Sequence, residues 1–412
     1  MRLGEVANEG ALRYGKPLEG VRVLAAEQMQ ALPFGTQLLA RMGAEVVKVE
    51  HPDGESGRGA LPAMIDPDGR RCGATFLRNN LDKRSVGIDL KNPRGRELFL
   101  SLVPHFDVVA ENFKSGTMDR LGLGYADIAE VHPGAIYLSI SGFGNAPSPY
   151  SGWPAYAPVA EAMSGLYEYK REPGRPPVVG PAGALGDTAT ALFGVIGVLA
   201  ALRHRDQTGE GQMIDVSMFD AMVAMADIVV NFHSMGYRPQ GTPNLIMGGF
   251  EASDGWFIVQ VGREHQFERL ANLIGHPEWL DDSRLATRQG WGEHIEDVIR
   301  PGIEGWASTM TKLEACKALS AAGVAAGPCY DADDVIADPH VADRNMIIEI
   351  PRTDEIEEPV LTVGNPIKMS KVAEGPDVRP PWTGEHTDDV LCAELSLSDA
   401  ELSELRSEGV IT

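Results

Sequence analysis

An open α/β fold with a parallel sheet, followed by a smaller α+β domain, is what the amino-acid sequence predicts. Three observations carry this. Apolar strand runs alternate with helical segments from Val21 to Gly144. Each helix is short and sits between two such runs, the βαβ pattern of a parallel sheet. From about Asn244 the character changes to a hairpin followed by short helices.

The first unit is VRVLAAE (Val21–Glu27) as a strand, PFGTQLLARMG (Pro33–Gly43) as a helix entered at a proline and left at a glycine, and AEVVKVE (Ala44–Glu50) as a strand. SVGIDL (Ser85–Leu90) is the next strand, then a helix with Asn92 as its cap and Pro93 at its first position, then DVVAENF (Asp107–Phe113). A helical segment around Asp119–Val131 leads to the strand AIYLSISGFG (Ala135–Gly144). Ligands of such sheets gather beyond the carboxyl ends of the strands. The first turn reads EQMQALP, without G-x-G-x-x-G, so a nicotinamide-dinucleotide site is not expected.

GALGDTATALFGVIGVLAAL (Gly183–Leu202) has no charged residue from Ala189 to Leu202 and is apolar around its whole circumference, so a core helix buried on all sides is expected. That run is too short and too glycine-broken to span a bilayer. RHRDQTGEGQ (Arg203–Gln212) reads as a loop, and MIDVSMFDAMVAMADIVV as a strand and then a helix. GGFEASDGWFIVQVG is a hairpin turning at Asp254 and Gly255, with short helices to about Gly327. Near the end, Ser398 and Glu401 form a capping box for a helix stopping at Gly409. The divisions expected are an arm at 1–16, poorly anchored, the first part of a large domain at 17–225, a linker at 226–243, a small domain at 244–330, and a linker with the return to the large domain at 331–412.

The 412 residues are 43% hydrophobic and 23% charged, which is ordinary for a globular chain. A net charge of −23 argues against nucleic acid or an anionic membrane as partner. The four cysteines, Cys72, Cys316, Cys329 and Cys392, lack metal-ligand spacing, and no signal peptide is recognised, so a reducing cytoplasm and no metal are expected.

Asp187 stands at the joint between a glycine-rich loop and the apolar helix. Unpaired N–H groups and the helix dipole favour an anion there, so an N-cap and a functional carboxylate are both open readings.

Seven stretches together resemble the family III CoA transferases, also called the CaiB/BaiF family: PLEGVRVL, LLARMGAEVVKVE, DKRSVGIDLKNPRGRE, DVVAENFKSGTMDRLGLGY, ALGDTATALFGVIGVLAAL, GEGQMIDVSMFDAM and GEHTDDVL. The resemblance implies a Rossmann-like large domain built from both chain ends, a small domain inserted between them, and an interlocked homodimer. It implies acyl-CoA and a carboxylic acid as substrates, with no tightly bound cofactor.

By the same resemblance Asp187 is the nucleophile, and its helix terminus is expected to favour the ionised form. Gly248 and Gly249 match a glycine loop that covers the active site and offers oxyanion donors. Gln30, His51, Lys83, Asn112, Phe113 and Arg120 match CoA-binding positions, and Arg84 neighbours them. Leu32 replaces a glycine common in the first turn. Tyr156 falls where the racemase branch carries a histidine and formyl-CoA transferase a tyrosine. Tyrosine is a poor base near neutrality, which favours transfer over α-proton exchange. The alternatives are an acyl-CoA racemase and a non-catalytic CoA-binding protein.

Overall fold

The computed structural model describes all residues except 170, 173, 181–182, 227, 237–243 and 355. The chain divides into two compact units, Met1–Met235 with Asp343–Thr412, and Gly236–Ala342.

In the first unit six strands form one sheet: β1 (Arg22–Ala26), β2 (Glu45–Glu50), β3 (Lys83–Gly87), β4 (Val108–Glu111), β5 (Ile136–Ser141) and β6 (Met213–Ser217). Their order is β3-β2-β1-β4-β5-β6, and every pair is parallel. This is the doubly wound order, and it reverses between β1 and β4. Side chains alternate across the sheet. Val23 and Ala25 pack with the helices Ala31–Arg41 and Leu185–Thr208 on one face. Leu24 and Ala26 pack on the other with Phe99, Leu102 and the returning Val390, Leu391 and Leu402. The C-terminal part is tied in by a bridge between Ile88 and Ile411 and by the His386 amide, which donates to the Ser85 carbonyl at 2.9 Å.

Local chemistry sets the helix ends. Asn92 caps the helix Pro93–Leu102, its Oδ1 accepting the Arg94 amide at 3.0 Å. The first helix starts at Ala31, two residues before the proline, and gives way to Gly43 at φ 107°. The segment expected as one helix around Asp119–Val131 is two, Thr117–Leu121 and Tyr125–Val131, because Gly122 turns left-handed at φ 69° between them.

Further expectations are corrected. The apolar helix runs over 24 residues, Leu185–Thr208, taking in most of the stretch expected as a loop. Arg205 anchors its end by donating to Asp107 Oδ1 at 2.8 Å, and Gly209 terminates it at φ 78°. By length and composition this helix could cross a membrane, but half of that stretch is buried within the fold. Nor is it buried on all sides: Leu192 is 47% exposed and Ile196 62%, with Phe193 and Leu199 also open. Its apolarity thus serves two faces, one against its own sheet and one uncovered in the single chain.

The N-terminal arm is anchored. Ala7 and Glu374 exchange backbone hydrogen bonds at 3.0 and 3.1 Å, and the Gly4 amide donates to the Asp377 carbonyl at 3.0 Å.

In the second unit β7 (Ile246–Ala252), β8 (Gly255–Val261) and β9 (Ala325–Pro328) form an antiparallel sheet ordered β9-β8-β7. Phe250 faces Phe257 across the pair, both fully buried. The unit reaches Ala342 rather than ending near residue 330, since Lys312 pairs with Asp334 and donates to the Cys329 carbonyl at 3.1 Å.

Candidate active site

The reversal of strand order opens a crevice beyond β1 and β4, and the residues that follow these strands line it. The link across the gap is the Asn112 side-chain amide, whose Oδ1 accepts the Gln28 N–H at 2.9 Å while its Nδ2 donates to the Gln28 carbonyl at 2.9 Å. Beside it lies a cavity of about 220 Å³ lined by Gln28–Ala31, Asn112–Ser115, Ile140–Gly144, Tyr150–Tyr156, Asp187 and Met218. Met29 enters it at φ 60°, its amide held by Glu55 Oε2 at 3.0 Å.

Asp187 is not a cap. The helix is capped by Ala184, with no side-chain hydrogen bond, and Asp187 is its third residue. Its carboxylate has no hydrogen-bond or ion-pair partner among the described residues. Burial, and then the charge of Glu161, push the carboxyl up to about 6. Burial and Glu161 thus act against the ionised form that the helix terminus was expected to favour.

Glu161 is buried in the helix Ala157–Met163, which packs on the start of the Asp187 helix. Its Oε1 accepts the Gly186 amide at 2.9 Å. A Cβ on Gly186 would stand 3.0 Å from Ala157 Cα, tighter than an ordinary contact, so glycine here eases the close approach of the two helices. An aromatic cluster forms the far wall, with Tyr150 5.2 Å from both Phe143 and Trp153 between ring centroids.

The structure brings Gln30, Asn112, Phe113, Tyr156 and Asp187 to one cavity. The Gln30 side chain makes no hydrogen bond among the described residues, and Tyr156 is 72% exposed at the cavity. Leu32 is buried in the core behind this turn rather than lining the cavity. His51 lies in a second crevice of about 350 Å³, which shares Gln28 and Phe113 with the first. There its Nδ1 accepts the Asp53 amide at 3.2 Å. Arg120 is exposed, donating to Thr117 Oγ1 at 3.0 Å, and Thr117 lines the second crevice.

Two expected phosphate ligands are placed elsewhere. Lys83 is fully buried, and its three N–H groups go to Glu27 Oε1 at 2.7 Å, the Pro33 carbonyl at 2.9 Å and Asn80 Oδ1 at 2.9 Å. Nothing is left for a phosphate, and burial pulls this ammonium down to about 8. Arg84, the second residue of β3, pairs with Glu45 at the start of β2, 3.2 Å away, at the end of the sheet opposite the crevice. Gly248 and Gly249 are not in a loop but within β7 of the second unit, opposite Val259 and Ile258. The Gly249 carbonyl accepts from Arg300 Nη1 at 2.6 Å. Buried Ile246 and Phe250, on alternate positions, extend the strand through the glycines.

Sequence reasoning missed Lys91 and Lys114, exposed cations that line the second crevice and the cavity and form no ion pair among the described residues. Both follow strand carboxyl ends, a signal open to the rule about where ligands gather. It also missed Glu161, a single charge in the otherwise uncharged run APVAEAMSGL.

Comparison with known proteins shows the family of the chain. The model of CoA-transferase family III matches residues 18–387. The chain is 34% identical to the succinyl-CoA–L-malate CoA-transferase beta subunit of Chloroflexus aurantiacus, covering 96% of this chain and 98% of that one. It is 36% identical to the succinyl-CoA:mesaconate CoA-transferase of Haloarcula hispanica, over 91% and 95%. The crystal structure of a CaiB/BaiF family protein from Brucella suis superimposes with a TM-score of 0.81 at 33% identity, covering 92% of this chain and 99% of that one.

Proposed function

The chain belongs to CoA-transferase family III, and on that premise we propose that it moves CoA from an acyl-CoA donor to a carboxylic acid with Asp187 as covalent nucleophile. The observation that carries this reading is the Asp187 carboxylate itself, without a partner among the described residues and half-buried in the cavity at the switch point. A merely structural aspartate at a helix start would be spent on backbone amides.

The chemistry follows from that freedom. An Asp187 oxygen attacks the thioester carbonyl, the C–S bond breaks, and CoA leaves as thiolate, giving a mixed anhydride. The thiolate then attacks the Asp187 carbonyl, the anhydride C–O bond breaks, and the donor acid departs, leaving an aspartyl-CoA thioester. The acceptor carboxylate attacks that thioester and repeats the two steps in reverse, so acyl-CoA leaves and Asp187 is restored. A carboxyl raised to about 6 is still mostly ionised at pH 7 and is more basic than an ordinary aspartate.

Lys91, with Arg120 held on Thr117 of the second crevice, supplies the positive charge for the CoA phosphates, and His51 lines the same crevice as a neutral hydrogen-bonding ring. Gln30, Asn112 and Phe113 wall the passage toward Asp187. The two relatives above carry succinyl, malate and mesaconate in their names, all dicarboxylic. A dicarboxylic acceptor fits here too, its distal carboxylate meeting Lys114. The exposed apolar stripe of the Asp187 helix supports a homodimer, and the free cysteines and acidic surface suit a reducing cytoplasm.

The test is intact-protein mass spectrometry after incubation with a panel of acyl-CoAs, with Asp187→Ala alongside. An adduct of CoA mass, absent in the variant and released by hydroxylamine, is expected. No adduct with any donor, together with solvent deuterium uptake at the α-carbon of an acyl-CoA, would replace transfer by racemisation.

A further inference from the structure

The helix that carries Asp187 begins without a side-chain cap. Glu161 takes that place from a different helix: its Oε1 accepts the Gly186 amide at 2.9 Å, and its Oε2 accepts the Tyr167 hydroxyl. The Tyr167 oxygen in turn accepts the Gly180 amide at 3.2 Å. One carboxylate, 2% exposed, thus ties together three segments that meet at the nucleophile. No cation among the described residues pairs with it. Tyr167, Arg171, Glu172 and Arg175 line the cavity on its far side, and Arg171 is spent on Glu168 at 2.7 Å. On the other side Lys114 and Tyr156 share the cavity with Asp187.

We propose that Glu161 is a positioning residue for Asp187, fixing the first turn through Gly186 and setting a second carboxylate behind the nucleophile. This rests on the reading of Asp187 as nucleophile. Two carboxylates at one partly dehydrated site repel each other. Once Asp187 becomes an anhydride or thioester it is neutral, and the repulsion ends. The interaction therefore raises the free enzyme relative to its covalent intermediates, which is the direction that favours loading.

The test compares wild type, Glu161→Gln, Glu161→Asp and Asp187→Ala, using succinyl-CoA as probe. Two quantities are read: the acid limb of kcat/KM against pH, and the fraction of protein carrying the CoA adduct. Glutamine keeps an acceptor for the Gly186 amide and removes the charge. Its acid limb is expected to move down by about one pH unit, with an adduct fraction lower by up to about tenfold, the factor equivalent to one unit of pKa. Glu161→Asp, which withdraws the charge by one methylene, is expected to move the limb less and in the same direction.

A purely structural Glu161 would lower the rate and leave the limb where it was. An unmoved limb in whichever variant folds, with Asp187→Ala inactive, overturns the role of Glu161 alone. An adduct that persists in Asp187→Ala overturns the nucleophile assignment and this proposal with it.

Discussion

Asn112 and Gln28 are joined by two reciprocal hydrogen bonds of 2.9 Å, side-chain amide to backbone, across the point where the sheet reverses its strand order. The pairing needs both halves of an amide, because one partner atom is a donor and the other an acceptor. Asn112→Asp keeps the acceptor and turns the donor into an oxygen facing the Gln28 carbonyl. A loss of about 1–3 kcal/mol in stability is expected, together with weaker CoA binding by calorimetry, since both residues line the cavity. Unchanged CoA affinity would separate this link from the ligand passage.

Lys83 and Glu27 are both excluded from water and 2.7 Å apart, so removing one leaves the other charged and buried. Lys83→Met is expected to cost about 3 kcal/mol in urea unfolding, the low end for a broken buried pair. The low end applies because Lys48 remains 3.8 Å from the same Glu27 oxygen. The salt dependence of CoA binding is expected to stay as in wild type, whereas Lys91→Ala should flatten it. The reverse outcome would return Lys83 to the phosphate site.

Asp82 sits at φ 62° with Oδ1 accepting the Val378 amide at 2.5 Å and its carboxyl set against that of Asp377. Burial, and then Asp377, push its carboxyl up to about 7. A carboxyl raised on folding binds its proton more tightly in the native state, so its contribution is full below about pH 4 and is lost as pH rises through about 7. Asp82→Asn removes the titration and tolerates the left-handed backbone. The variant is expected to be more stable than wild type by about 1–3 kcal/mol at pH 8 and to differ little at pH 4. Urea midpoints at the two pH values decide, and a variant less stable at pH 8 would refute the assignment.

What could be read in advance divides along a physical line. The strands β1, β2, β4 and β5 and the Asn92 cap follow from local apolar runs and local hydrogen bonds, and a sequence displays both. Asp187, Gln30, Asn112 and Phe113 were legible as a set through the family resemblance, and they line one cavity because all lie at strand ends or helix starts. Lys83 was not, since its three partners, Glu27, Pro33 and Asn80, come together only in the folded core. The rise in the Asp187 carboxyl was hidden for the same reason: the burial and the Glu161 charge that cause it are tertiary, while the dipole that opposes it is local. Gly248 and Gly249 were expected in a loop only because they match a glycine loop of the family, and the pairing that makes them a strand lies on β8.

The Asp187 helix leaves Leu192, Phe193, Ile196 and Leu199 open at positions that recur along one side, and Val223 and Met225 of the helix Met218–Met225 are open as well. An apolar stripe on so acidic a chain is costly to leave in water, about 1.5–3 kcal/mol for each large side chain that a partner would bury. Ile196, 62% exposed, contributes little to its own core, so a charge there should leave the fold intact. Ile196→Asp is therefore expected to convert a dimer into monomers in sedimentation equilibrium, with the circular dichroism spectrum unchanged. Because the stripe runs along the helix that presents Asp187, the monomer is also expected to lose most of its transferase activity. A variant that sediments as a dimer with wild-type affinity would mean that subunits meet elsewhere and that this stripe has another occupant.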